Sequence, residues 1–136
     1  MSSNDKGVVR RAIVTPDKHF PLHDEPAINV LCQAIEMIKP DVYIDLGDVG
    51  EWNAFSAWKY KRKQKPPLEF IVPEIDKDVE DVNRCMDIID ESLDKVNCPE
   101  KHFCEGNHDN WLNMFVEVHP YLPQYTFKDA VKLRDR

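Results

Sequence analysis

Three short motifs carry side chains of types able to bind divalent cations and phosphate: Asp17-Lys18-His19, Gly47-Asp48 and Gly106-Asn107-His108-Asp109. Asp17 offers a carboxylate. His19, two positions on, offers an imidazole nitrogen within reach of the same ion. Asp48 can bridge two ions, one on each oxygen. Asn107 adds a neutral amide oxygen to the second ion. Mixed oxygen and nitrogen ligation suits Mn, Fe, Zn or Co better than Ca or a structural zinc. Two such ions about 3.5–4 Å apart clamp a phosphate and lower the pKa of a water held between them. His108 is not needed as a ligand and is free to stabilise the phosphate or protonate the leaving group. Asp109 is expected to orient His108 and fix its tautomer. Taken singly, Asp and Asn are ordinary turn residues. The three motifs in order are what point to a site.

The elements that must position these motifs follow from the hydrophobic pattern. Val8 to Val14 reads as a β-branched strand stopped by Pro16. Asp24 caps a helix that runs to about Lys39, with Ala27, Ile28, Val30, Leu31, Ala34, Ile35 and Ile38 on helical spacing. Pro40 ends it, and Asp41 to Leu46 reads as a short apolar strand ending at Gly47. Residues 51–62 are expected to be helical, and an irregular loop is bounded by Pro66, Pro67 and Pro73. Ile75, Val79, Val82, Met86, Ile89, Leu93 and Val96 form one apolar stripe, which predicts a helix from Ile75 to Val96. Lys101 to Glu105 reads as a third strand, Asn110 to Val118 as a helix, and Phe127 to Leu133 as a final turn or two. The expectation is an α/β fold: a βαβ-type parallel sheet with flanking helices and right-handed crossovers. Each strand then ends in one motif, and the carboxyl ends of parallel strands share one edge where ligands bind.

The bulk numbers bound the alternatives. The chain has 136 residues and a net charge of -7, with hydrophobic residues at 42% and charged residues at 32%. These describe a globular chain rather than a disordered one. The acidic balance gives no general attraction to nucleic acid or anionic membrane, which argues against a passive nucleic-acid coat. No apolar run approaches the roughly 18 residues of a membrane span, and no secretory leader is evident, so a cytoplasmic setting is expected. Residues 1–7 read as a loose tail and 8–136 as one domain. Cys32, Cys85, Cys98 and Cys104 form no paired framework and read as reduced thiols.

Two further features border the motifs. His23 shares a loop with His19 and is a candidate substrate contact, against the plainer reading of a surface histidine. Trp58 to Lys65 is basic with aromatics interleaved, and Lys61 and Arg62 are its candidate contacts to a phosphorylated substrate or nucleic-acid backbone. The plainer reading there is a solvated helix end, where cations favour the helix dipole.

Together the three motifs resemble the calcineurin-like metallophosphoesterase family, and His19-Phe-Pro-Leu-His-Asp24 is similar to a bacterial and phage subgroup of it. The resemblance spans about Ile13 to Val118. It implies a four-layer αββα fold and a hydrolase acting on phosphomonoesters or phosphodiesters, nucleic acid among them. The implied cofactors are two divalent ions (Mn, Fe, Zn, Co or Mg). Asp17 and His19 would hold the first ion, Asp48 would bridge, Asn107 would hold the second and His108 would serve the phosphate. The family's later motifs, an isolated His and a Gly-His-x-His segment, do not follow Asp109; only His119 lies beyond it, in Val-His-Pro. The resemblance therefore implies the N-terminal portion of such a domain, truncated at its C-terminal side. The alternative it leaves open is a non-catalytic binding scaffold on the same fold.

Overall fold

The structure is a computed structural model, and it describes residue 7, residues 9–56 and residues 66–136. Strands β1 (Ala12–Thr15), β2 (Val42–Asp45) and β3 (Glu100–Phe103) form a parallel sheet in the order β1-β2-β3. The register aligns Ile13, Tyr43 and Lys101, and one step on Val14, Ile44 and His102. Helix α1 (Glu25–Ile38) joins β1 to β2, and α2 (Leu68–Lys95) joins β2 to β3. Because the strand order advances in one direction, right-handed crossovers put both helices on the same face. Tyr43 on that face is buried in a cluster with Ile28 and Ile35 of α1 and Val82, Met86, Ile89 and Leu93 of α2. On the other face, Val14, Leu46 and His102 are exposed, Ile44 is half-buried and Val42 is buried.

After β3 come α3 (Asn107–Val118) and α4 (Phe127–Ala130). Short 3-10 turns occupy Asn53–Phe55, Pro123–Tyr125 and Leu133–Asp135. The Arg136 guanidinium reaches back to α2, pairing with Asp87 and Asp90 and donating to the Asn83 side-chain oxygen. The cysteines are unpaired. No helix among the described residues is long and apolar enough to cross a membrane.

Several boundaries differ from the sequence expectations, each for a physical reason. β1 begins at Ala12 rather than Val8, because its partner strand begins only at Val42, after the left-handed Lys39 and Pro40. α1 ends at Ile38, where Lys39 takes φ 51° and donates its N–H to the Ile35 carbonyl. The helix expected over 51–62 is a single 3-10 turn at Asn53–Phe55, and the remainder, from 57, lies outside the described residues. The loop expected up to Pro73 is instead the first turns of α2, which starts at Leu68 and runs through Pro73. Pro73 is exposed, so water can satisfy the carbonyl it leaves free, while Ile71 and Ile75 anchor these turns in a second apolar cluster with Ala54 and Tyr125. α3 starts at Asn107 rather than Asn110, so the third motif lies on the helix itself.

Candidate metal centre

The three motifs meet at the carboxyl edge of the sheet because backbone hydrogen bonds lace their loops together. Asp17 N–H donates to the Gly47 carbonyl at 3.1 Å, His19 N–H to Asp48 at 2.9 Å and Phe20 N–H to Val49 at 2.8 Å. The β2 and β3 loops touch directly. A Cβ on Gly47 would lie 2.5 Å from the Gly106 nitrogen, and one on Gly106 would lie 2.3 Å from Asp48 Oδ1. Only glycine permits that approach, and Gly47, at φ 105°, needs it for its conformation too.

Asp17, His19 and Asp48 all adopt the left-handed conformation, at φ 48°, 47° and 50°. Such conformations are sparsely populated by non-glycine residues and cluster at functional sites. Here they bring one ligand atom from each of the three side chains within 4.8 Å of one another. The donor set is two carboxylates and an imidazole, and the spacing is one that a single divalent ion can draw together, so these residues fit such an ion.

Asp48 also stands at the N-terminus of α3. Its Oδ1 accepts the His108 N–H at 2.9 Å, which places a carboxylate where the helix dipole and the free amides favour negative charge. Asn107 is the first residue of α3, exposed, and its amide makes no hydrogen bond among the described residues.

His108 is held on three sides. Its Nδ1 lies 3.0 Å from the Glu51 carbonyl, its ring stacks on Trp111 at 4.1 Å, and His19 meets it edge-on at 4.9 Å. A carbonyl only accepts, so Nδ1 carries the proton and Nε2 is left for other partners.

Asp109 does not orient His108. Its carboxylate is fully buried, with Oδ1 accepting from Trp52 Nε1 at 2.9 Å and Gly50 N–H at 3.4 Å, and Oδ2 from Gly106 N–H at 3.0 Å and Val49 N–H at 3.3 Å. At the third position of α3 it returns a bond to the N-cap residue, and its remaining lone pairs serve the β2 loop. Its role is to clamp the β2 and β3 loops together.

His23 packs edge-on against Phe20 at 4.8 Å, turned into its own loop, with a buried Nδ1 that has no hydrogen-bond partner among the described residues. Lys61 and Arg62 lie outside the described residues.

Glu51 was not evident from sequence. Its Oε2 lies 2.9 Å from His19 Nδ1, a close contact without hydrogen-bond alignment, and 3.8 Å from His108 Nδ1. His19 thus faces Glu51 with Nδ1, while its Nε2 lies 3.9 Å from Asp17. The available signal was an acid three residues after Asp48, in a loop that must return to the site.

Lys18 and Asp45 were also missed. They form a buried ion pair at 2.5 Å beneath the loops. Burial pushes the Asp45 carboxyl above its ordinary range, and Lys18 opposes that shift.

No protein-family model, curated protein or solved structure matches this chain.

Proposed function

We propose that this chain carries the site of a metal-dependent phosphoesterase acting on a phosphomonoester or phosphodiester, with nucleic acid among the possible substrates. The observation that carries this reading is the convergence of Asp17, His19 and Asp48, three hard or borderline ligands held in left-handed backbone at one sheet edge. The parallel sheet with helices on one face is also compatible with half of the four-layer metallophosphoesterase fold.

In this reading Asp17, His19 and Asp48 would hold one divalent ion. Asp48 and Asn107 would be the ligands of a second. The ions would polarise the phosphoryl group and lower the pKa of an attacking water. The chain's own residues do the rest. The N-terminus of α3 favours the phosphate charge. His108, with Nδ1 committed to the Glu51 carbonyl, presents Nε2 to the leaving oxygen and can hold or release a proton there. Trp111 and His19 keep that ring in place.

Calorimetric titration with Mn, followed by hydrolysis of bis(p-nitrophenyl) phosphate and p-nitrophenyl phosphate, tests the reading. Mn uptake and turnover are expected, with both abolished in a folded Asp48→Asn variant. Turnover that survives both Asp48→Asn and chelation sinks it.

A second reading, a binding scaffold without turnover, draws on the second position, for which the three sequence motifs offer only Asp48 and the exposed Asn107. Mn uptake without hydrolysis of either ester would select it.

A further inference from the structure

Lys18 sits between two of the proposed ligands, and its side chain points the other way. Asp17 and His19 are partly exposed at the sheet edge, whereas the Lys18 side chain is only 4% exposed. Its Nζ donates to Asp45 Oδ2 at 2.5 Å and to Thr15 Oγ1 at 2.7 Å, and it lies 5.8 Å from the centre of the Tyr43 ring. The other oxygen of Asp45 accepts the Gly47 N–H at 3.0 Å, one residue before Asp48. One buried carboxylate therefore ties the Asp17-Lys18-His19 loop to the Gly47-Asp48 loop, at the ends of β1 and β2.

A buried ion pair is weak evidence for stability, because desolvating both charges offsets most of their attraction. Its place in this fold has another consequence. With Lys18 anchored inward, its two neighbours must face the sheet edge, and with Gly47 held by the same carboxylate, Asp48 is set against them. We infer that Lys18 and Asp45 are positioning residues that fix the relative placement of Asp17, His19 and Asp48 for cation binding. This rests on the metal reading above, but its first consequence, an ordered loop, does not need the ion.

The test is the double variant Lys18→Met with Asp45→Asn. Met replaces the aliphatic stem, and Asn retains an acceptor for Gly47 with no charge left unpaired. The expected result is near-normal urea stability with an Mn dissociation constant raised about 10- to 100-fold, the usual effect of losing groups that support a metal ligand. Amide exchange at Asp17 and His19, measured by NMR without metal, should quicken relative to the core of α2. Unchanged affinity with unchanged exchange overturns the inference. If the wild-type chain takes up no Mn, the metal reading falls, and the exchange rates alone decide whether the pair orders the loop. Should the double variant fail to fold, Thr15→Val removes the second acceptor of Nζ while keeping its shape. It should shift affinity and exchange in the same direction by less, and no shift in either counts against the inference.

Discussion

Replacing Asp109 with Asn separates a loop clamp from a catalytic orienter. The four donors converging on this carboxylate come from Val49, Gly50, the Trp52 indole and Gly106. Asn has the same shape and creates no cavity. It keeps one acceptor oxygen and turns an amide NH2 toward the other two donors. Two charge-assisted hydrogen bonds, each worth about 1.5–3 kcal/mol, are lost, so Asp109→Asn should lower stability by about 3–6 kcal/mol. For a small domain with a urea slope of about 2 kcal/mol per molar, the unfolding midpoint should fall by roughly 2 M. Tryptophan fluorescence and circular dichroism against urea measure this directly. A loss below about 1 kcal/mol would refute the reasoning, since the donors would then be satisfied some other way. If the residue served mainly to orient His108, stability would hold and only the pH profile of turnover would move.

Other substitutions have definite expectations. Gly106→Ala should abolish Mn uptake at retained helix content and cost about 1–3 kcal/mol, because the added carbon collides with Asp48; normal uptake by calorimetry would contradict the loop contact. Pro73→Ala should stabilise the chain by up to about 2 kcal/mol, restoring a helix hydrogen bond at an exposed position, less the entropy that proline removes from the unfolded chain. A lower urea midpoint would show that Pro73 is needed for the start of α2. Burial and its hydrogen bond to Asp76 push the Tyr125 phenol from 10.0 up to about 12. Its stabilising contribution should be whole below pH 10 and vanish as pH rises toward 12, because the unfolded chain releases this proton first. The tyrosinate absorbance difference between wild type and Tyr125→Phe should be centred near pH 12; a centre near 10 would exclude the shift.

The parts of this fold that were legible in sequence are the ones dictated locally. Asp24 and Pro40 bracket α1, the apolar run of β2 stops at a glycine, and each strand ends in a motif. The misread parts depend on distant partners. Pro73 looks like a breaker until Ile71 and Ile75 find Ala54 and Tyr125. Asp109 looks like a partner for its neighbour His108, but its donors come largely from the Val49–Trp52 loop. Neither Lys18, between two ligands, nor Asp45, inside an apolar strand, gives a local hint of its mate 27 residues away. Glu51 follows Asp48 by three residues, a weak local signal that does not show its loop bringing it beside both His19 and His108.

The left-handed residues at the sheet edge have a consequence for how this chain can evolve. Asp17, His19, Asp48 and the buried Trp52 each hold a backbone conformation that glycine would adopt freely, at a cost on the order of 1–3 kcal/mol for a strained residue. Relief of backbone strain alone would favour glycine at Asp17 and His19, whereas the Asp48 side chain also accepts the His108 N–H. The loops are thus a frustrated patch, although Lys39, Asn97 and Lys132 hold the same conformation elsewhere in the chain. Drift toward glycine at Asp17 and His19 would relieve strain while erasing ligands, so a lineage freed from the need to bind a cation should lose these side chains before it loses its core.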